Sequence, residues 1–419
     1  MGSTVSQKLL SPYRALDLTD ASGFLCSRIL SDLGAEVIKV EPPGGDPSRL
    51  TGPFLTAEPH PEQSLHWFAY NLGKKGITLD LEAPEGRELF LSLAKKADWV
   101  IESFPPGRLE GLGLGYEALS RTNPGIILTS ITPFGQDGPY RDYKGGDLVS
   151  MAMGGYVFLC GEPGRPPVRV SYPQACLHAC GEAVVGSMIA FAQRQRTGEG
   201  QWVDVSVQAS VVPLCMNIPA WWELHGVIVR RQGTYRAGLS SGAVQRHTWP
   251  CKDGFVTFII IAGASGANTN RGLVAWMDEE GLADGFLKGI DWDKFDMASA
   301  SQEMHHAIQE PVGRFFMGHT PWELYEGAMA RRIMLYPVAT IADIAHSPQL
   351  AARNFWGQVP HPELGQSLTY PGPFAQGSPP LCTTGRRAPL VGEDNREVYG
   401  NLLGLTDKDL EALRRRRVI

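Results

Sequence analysis

Short apolar runs alternate with amphipathic stretches over the first 131 residues of the chain. Between the runs, apolar residues recur at the spacing of one helix face, as Leu89, Phe90, Leu93 and Ala97 do. The runs predict strands at 14–18, 36–41, 78–81, 99–102 and 125–131. Strands separated by helical segments of this length predict an α/β fold, with a mostly parallel, Rossmann-like sheet and helices on both faces.

Local signals refine the elements of this pattern. Asp20 is the predicted N-cap of a helix that runs to about Leu33, where Gly34 ends it. The turn at 18–23 lacks the G-x-G-x-x-G motif, which disfavours NAD as a ligand. A core helix is predicted from Cys176 to Arg194, and the stretch 263–266 is predicted to be only a turn.

The same pattern divides the chain into two lobes. We expect residues 1–207 to form the first part of a large lobe, 208–245 to be a connection, and 246–332 to form a smaller α+β lobe that opens with a hairpin at 248–261. Residues 333–419 are predicted to return to the large lobe, where an amphipathic helix ends the chain. The arginines at 414–417 complement the dipole of that helix.

Composition narrows the class of protein. Of the 419 residues, 43% are hydrophobic and 20% are charged, as in an ordinary soluble globular protein. The net charge of −6 disfavours nucleic acid as the main partner. No apolar run approaches the length of a membrane helix, and the seven scattered cysteines predict reduced thiols without a metal site. We therefore expect a cytoplasmic protein without a membrane partner.

Six blocks in a fixed order carry a resemblance over nearly the whole chain. They are 17–18 with 33–49, 71–81, 102–107, 134–139, 194–201 and 388–394. Together they resemble the family III CoA-transferase superfamily, which includes formyl-CoA transferase, carnitine CoA-transferases and α-methylacyl-CoA racemases. The resemblance implies an interlocked dimer in which CoA and the acyl group lie between the large lobe of one chain and the small lobe of the other.

The resemblance also implies a nucleophile that this chain lacks. In the family, an aspartate near the start of the helix after residue 170 attacks the acyl-CoA carbonyl, giving a mixed anhydride and a CoA thiolate. Gln174 or Cys176 occupies that place here, and no Asp or Glu lies between Arg165 and Glu182. Racemases pair the aspartate with a histidine where this chain has Gly146, which disfavours racemisation.

CoA contacts are implied at Arg49, Leu79, Phe104 and Lys144, the two cations serving as charge partners of phosphates. Other members often carry arginine where this chain has Pro42 and Gly111. CoA and acyl-CoA are expected as substrates, and no tightly bound cofactor or metal is expected.

Three hypotheses follow, and we favour the first. The chain is the non-catalytic subunit of a hetero-oligomeric CoA-transferase, using a donor such as succinyl-CoA and an organic acid, while a homologous chain carries the aspartate. Benzylsuccinate CoA-transferase is a two-subunit enzyme of this family. Alternatively, Cys176 takes the acyl group as a thiolate, with its pKa lowered by the helix N-terminus, although His178 is poorly placed to help it. The third hypothesis is a chain that binds an acyl-CoA or an organic acid without turnover, as a sensor or scaffold. A homodimer is the alternative to assembly with the homologous chain.

Overall fold

The computed structural model of the chain describes residues 8–237, 243–296, 299–378, 380–382 and 384–419. Its strands are β1 (Arg14–Leu18), β2 (Glu36–Glu41), β3 (Lys75–Thr78), β4 (Trp99–Glu102), β5 (Ile127–Thr132), β6 (Trp202–Ser206), β7 (Tyr235–Ala237), β8 (Val244–Arg246), β9 (Thr248–Cys251), β10 (Gly254–Phe258), β11 (Leu335–Pro337), β12 (Trp356–His361) and β13 (Gln366–Pro371).

Helices connect these strands. They are α1 (Phe24–Asp32), α2 (Leu65–Tyr70), α3 (Pro84–Ala94), α4 (Arg108–Gly111), α5 (Tyr116–Thr122), α6 (Asp147–Met153), α7 (Tyr156–Leu159), α8 (Ala175–Thr197), α9 (Val207–Val211), α10 (Ile218–His225), α11 (Gly263–Glu279), α12 (Gly285–Gly289), α13 (Gln302–Met317), α14 (Pro321–Arg331), α15 (Ile341–Ala345), α16 (Pro348–Ala352), α17 (Asn395–Leu403) and α18 (Asp407–Arg415).

The chain forms two compact units. Unit 1 comprises the described residues of Met1–Val157, Arg169–His225 and Gln349–Ile419. Unit 2 comprises those of Phe158–Val168 and Gly226–Pro348. Each unit has its own hydrophobic core.

Unit 1 is built on a six-stranded sheet in the order β3-β2-β1-β4-β5-β6. All neighbouring strands in it are parallel, which confirms the predicted parallel sheet. Successive strand residues point to opposite faces, so Leu16 and Ile38 enter one core while Ala15 and Val37 enter another. Helices α3, α5, α17 and α18 contribute to the first core, and α1, α8 and α9 to the second.

Helix α8 is 23 residues long, and by length and composition alone it could cross a membrane. A core helix of a globular protein passes the same test. Its small residues Ala175, Ala179 and Ala183 are fully buried in the core beneath the sheet. The side-chain oxygens of Ser187 in α8 and Thr129 in β5 lie 2.7 Å apart in a buried hydrogen bond. These contacts identify α8 as a core helix of unit 1.

A buried ion pair connects β1 to the segment before β3. Lys74 Nζ lies 2.8 Å from Asp17 Oδ2, and both side chains are fully buried. Lys74 also donates to Asn71 Oδ1 at 2.8 Å, and Ser27 Oγ donates to Asp17 Oδ2 at 2.5 Å. Burial alone would raise the pKa of Asp17, but the ammonium groups of Lys74 and Lys39 outweigh it and lower the pKa to about 2.

Unit 2 contains an antiparallel sheet in the order β11-β10-β9. The predicted hairpin is confirmed, since β9 and β10 pair with Cys251 opposite Gly254. Helices α11, α13 and α14 pack on this sheet through Trp276, Phe315 and Leu324. The segment at 335–337, which sequence assigned to the return, instead adds an edge strand to this sheet.

Three local predictions were wrong. Helix α1 has Gly23 as its N-cap, because Asp20 accepts bonds from Ser22 instead. The third strand was predicted at 78–81, but it ends at Thr78. The backbone N–H of Asp80 bonds to the carbonyl of Val418 and not to β2. Residues 263–266 open α11 instead of forming only a turn. The predicted connection at 208–245 contains α9, α10, β7 and β8 in its described part.

Candidate active site

A crevice lies at the carboxyl ends of the parallel strands in unit 1. The strand order runs outward in both directions from β1 and β4, so their adjacent ends form a topological switch point, where open α/β sheets bind ligands. A cavity of about 400 Å³ occupies this edge. Its walls come from the segments that follow β1, β2, β3 and β4, namely 18–20, 40–48, 79–82 and 103–105.

Asp20 and Ser103 join the two sides of the switch point. Ser103 Oγ accepts the Asp20 backbone N–H at 2.8 Å and donates to Asp20 Oδ1 at 2.9 Å. Asp20 Oδ1 also accepts from the backbone N–H and the hydroxyl of Ser22. The orientation of the Asp20 carboxylate at the cavity wall is therefore fixed through one oxygen.

The cavity wall carries acidic side chains and, among its lining residues, no lysine or arginine. The carboxylates belong to Asp20, Glu41, Asp46, Asp80 and Glu82. Two of them have cations behind the wall, because Glu41 pairs with Arg49 and Asp46 lies 3.5 Å from Lys39. A phosphate group in this crevice would have to take its counter-charge from outside the lining residues.

Arg49 lies behind the wall and is 1% exposed. Its Nε and Nη2 donate to the two carboxylate oxygens of Glu41 at 2.6 and 2.8 Å, and Nη1 donates to Glu62 at 2.8 Å. The guanidinium carbon lies 3.8 Å from the ring centroid of Trp67. This arrangement holds the segment after β2 in place, and a direct contact of Arg49 with phosphate stays a prediction.

The other predicted CoA contacts lie in different places. Leu79 and Phe104 both line the cavity, on the segments that follow β3 and β4. Lys144 is exposed on the loop between β5 and α6, and it is not one of the lining residues. The structure therefore brings Leu79 and Phe104 to one cavity and leaves Lys144 outside it.

Sequence reasoning did not single out Glu102, the last residue of β4. Its side chain is buried, and Oε2 accepts the Phe104 backbone N–H at 2.7 Å. Burial raises the pKa of Glu102 to about 7, although bonds from Ser130 and from Phe104 oppose the rise. The available signal was its position, because the strand end at a switch point is where functional side chains gather.

The start of α8 is the place where the family's aspartate was expected. The N-cap Gln174 makes no side-chain capping bond. Instead, Asp147, the first residue of α6, accepts the Cys176 backbone N–H at 3.3 Å. The carboxylate of Asp147 thus lies at the N-terminus of α8 and complements the dipole of that helix.

Cys176 is not an activated thiol. Burial, followed by the carboxylates of Asp147 and Asp20 and by Cys180, raises its pKa to about 12. The expected lowering of this pKa by the helix N-terminus is therefore wrong, because burial outweighs it. His178 is exposed on α8. No group of three or more His, Cys, Asp or Glu side chains in the described part of the chain is arranged to hold a metal ion.

Comparison with known proteins gives the class to which this fold and crevice belong. The sequence model of CoA-transferase family III matches residues 10–395. The chain therefore belongs to CoA-transferase family III, which confirms the resemblance carried by the six blocks.

Two relatives and one solved structure illustrate the match. The chain is 38% identical over 390 residues to succinyl-CoA:(R)-benzylsuccinate CoA-transferase subunit BbsE of Thauera aromatica, covering 93% of each chain. It is 33% identical over 423 residues to succinyl-CoA–D-citramalate CoA-transferase of Chloroflexus aurantiacus, covering 100% of each. A CaiB/BaiF family protein from Brucella suis superposes with a TM-score of 0.80 at 28% identity, over 94% of this chain and 100% of that one.

Proposed function

We propose that the chain is the subunit without the nucleophile in a two-chain CoA-transferase, which moves CoA from succinyl-CoA to a carboxylic acid. Succinyl-CoA appears in the names of both relatives described above, and one of them is itself a subunit. The sister chain is a homologue that carries the nucleophilic aspartate. Its carboxylate attacks the thioester carbonyl, the C–S bond breaks, and CoA leaves as a thiolate.

One observation carries this proposal. The start of α8 offers Gln174, Ala175 and Cys176, where Ala175 is fully buried and Cys176 has a raised pKa. None of these side chains presents an anionic nucleophile at neutral pH. Asp147 reaches the helix only as a partner of the Cys176 backbone N–H. The route through a Cys176 thiolate accordingly loses its support.

Within this chain, we assign the crevice of unit 1 to acyl-CoA. Leu79 and Phe104 supply apolar wall, which suits the non-phosphate parts of the molecule. Arg49 acts through Glu41, by fixing the segment after β2, and Lys144 is the proposed exposed partner of a phosphate. CoA and its thioesters are substrates here.

Exposed apolar side chains support assembly with another chain. Val185 and Ile189 lie one turn apart on α8 and are 54% and 64% exposed. Met216, Trp222 and Leu224 are also exposed on the segments that follow in unit 1. Apolar surface of this kind marks interaction sites. We assign it to a homologous chain.

The seven cysteines form no disulfide with one another, and reduced thiols suit the reducing cytoplasm.

Trapping of the acyl intermediate tests the proposal. The two-chain enzyme is incubated with succinyl-CoA and hydroxylamine, which converts an acylated carboxylate to a hydroxamate that peptide mass spectrometry locates. The hydroxamate is expected on the sister chain's aspartate and on no residue of this chain. A hydroxamate on this chain, for example at Asp20 or Asp147, would refute its non-catalytic role.

Binding without turnover is the remaining alternative. Calorimetric titration of the assembled protein with CoA and succinyl-CoA, combined with an assay of CoA exchange between acids, separates the transferase from a binding protein. Binding together with CoA exchange between acids supports the transferase. Binding with no exchange in any assembly supports a binding protein instead.

A further inference from the structure

We infer that unit 2 contains a binding site for the free carboxylate of a four-carbon dicarboxylic acid. A cavity of about 390 Å³ lies there, within the size range of small-molecule sites. Its lining residues come from β7, β8, β9 and α13, and they are Tyr235, Arg246, Trp249, His306, Gln309 and Glu310. The cavity is evidence for the site, and the identity of the ligand rests on the proposed function.

Arg246 supplies the cation. Its Nη2 donates to the Tyr235 hydroxyl at 2.6 Å, and its guanidinium carbon lies 4.9 Å from the Tyr235 ring centroid and 5.6 Å from that of Trp249. Two aromatic faces and a hydroxyl thus fix the orientation of the guanidinium. Within the described ranges no carboxylate lies within 4.0 Å of it, whereas Arg49 has two and Arg194 has one.

Gln309 adds a second donor. The side chain is 8% exposed, and its Oε1 accepts the Arg246 backbone N–H at 3.1 Å. That bond leaves Nε2 of Gln309 without a hydrogen-bond partner among the described residues, and Nε of Arg246 is in the same condition. A buried donor that has no acceptor destabilises the folded chain. Two such donors beside one cavity favour an acceptor with two oxygens.

A carboxylate is the ligand that matches this set. It accepts two parallel bonds from an arginine, and charge-assisted bonds of this kind are the strong ones. The acidic lining residue Glu310 does not offset Arg246, because it pairs with Arg314 at 2.6 Å on the same helix. The rings of Tyr235 and Trp249 provide apolar surface for a short hydrocarbon chain.

The proposed substrate requires a site for a free carboxylate. The acyl group of succinyl-CoA ends in a free carboxylate, which must be neutralised when it leaves water. The crevice of unit 1 has only acidic charged side chains among its lining residues. The Arg246 cavity of unit 2 has a cation among its lining residues, and a four-carbon dicarboxylate fits its volume.

Calorimetry on the full chain with succinate and succinamide tests this site. Succinamide, the neutral diamide of succinate, has the same chain length but no carboxylate. Wild-type protein should bind succinate about 10- to 100-fold more tightly, the range expected for a charge-assisted pair. Arg246→Gln should reduce succinate binding to the level of succinamide. Arg236→Gln, which changes an exposed arginine of β7 outside the cavity, should leave the preference intact.

Equal affinities for succinate and succinamide, or a preference that survives Arg246→Gln, would overturn the site. If Arg246→Gln does not fold, Gln309→Leu replaces it, with a loss of a few-fold expected and an unchanged succinate affinity contradicting the site. CoA transfer is measured separately. If the protein transfers CoA but shows no ligand preference that depends on Arg246, the site is wrong and the proposed function stands. An Arg246-dependent preference without transfer supports the site and counts against that function.

Discussion

The Ser103 hydroxyl lies 2.9 Å from Asp20 Oδ1 and 2.8 Å from the Asp20 backbone nitrogen, so one side chain joins the ends of β1 and β4. Both residues line the crevice of unit 1. The shape of the crevice therefore depends on two hydrogen bonds between Asp20 and Ser103, one from a backbone N–H and one to a carboxylate.

Removal of this hydroxyl should weaken acyl-CoA binding. Ser103→Ala loses both bonds to Asp20, and because the pair is exposed, we expect a stability loss of only about 0.5–1.5 kcal/mol. The affinity of the assembled enzyme for succinyl-CoA should fall about 2- to 10-fold by calorimetry. Ser92→Ala, which removes an exposed hydroxyl from α3, is the control. Equal affinity in both variants would place the ligand elsewhere.

Cys176 should be dispensable for CoA transfer. With a pKa of about 12, far fewer than about one thiol in a thousand is ionised at pH 7.5. Cys176→Ser should keep transfer activity within about twofold, and iodoacetamide should alkylate this thiol more slowly than free cysteine. An acyl adduct on the intact chain that disappears in Cys176→Ser would contradict the assignment.

The Asp17–Lys74 pair should be costly to break from one side. Lys74→Met leaves the Asp17 carboxylate buried without its main partner, and we expect a loss of about 3–5 kcal/mol in urea unfolding. Lys75→Met removes a half-buried lysine that pairs with Glu36, and it should cost no more than about 1 kcal/mol. The double variant Asp17→Asn with Lys74→Met should recover part of the loss. Equal costs for the two lysines would show that the buried pair is unimportant.

The same pair predicts that the chain loses folding stability at low pH. The folded-state pKa of Asp17 is lowered from 3.8 to about 2. Its stabilising contribution is therefore complete above about pH 3.8 and is lost as the pH falls toward 2. Unfolding midpoints of Asp17→Asn should decline less over that window than those of the wild type. If the unfolding midpoints of the wild type and of Asp17→Asn decline equally with falling pH, the lowered pKa of Asp17 is contradicted.

Glu102 should have the opposite effect, because its contribution to folding stability is lost as the pH rises. Burial raises its folded-state pKa from 4.5 to about 7, so the neutral form stabilises the fold below about pH 4.5, and this contribution is lost as the pH rises through 7. Glu102→Gln stays neutral and should avoid up to about 3 kcal/mol of that loss between pH 4.5 and 8. Urea unfolding across this range checks it, with the exposed Glu117→Gln as control. An identical pH slope in the wild type and Glu102→Gln would refute the raised pKa.

The sheet could be predicted because parallel strands buried on both faces read as apolar runs, as 99–102 and 127–132 do. The end of β3 could not, because it depends on Asp80 bonding to Val418, which is 338 positions away. Asp20 was a reasonable helix cap by residue type. Its carboxylate is instead engaged by Ser22 and Ser103, and the latter contact is non-local.

The candidate site was predictable in kind but not in detail. The motifs named Leu79 and Phe104, and the structure places both at one cavity, while their contact with CoA stays a prediction. They could not show that Arg49 faces Glu41 from behind the wall, because residue type carries no information on the direction of a long side chain. Likewise, a cysteine at a helix start suggests a lowered pKa, and the burial of Cys176 beside the carboxylates of Asp147 and Asp20 reverses that expectation.

Reconstitution of CoA transfer tests the central claim most directly. The purified chain, the homologous aspartate-bearing chain and the two together are each assayed for transfer of CoA from succinyl-CoA to a second acid. We expect no turnover by this chain alone, turnover by the pair, and loss of that turnover when the sister's aspartate is changed to asparagine. Transfer by this chain alone at ordinary enzyme rates, of about 1 s⁻¹ or more, would contradict the account.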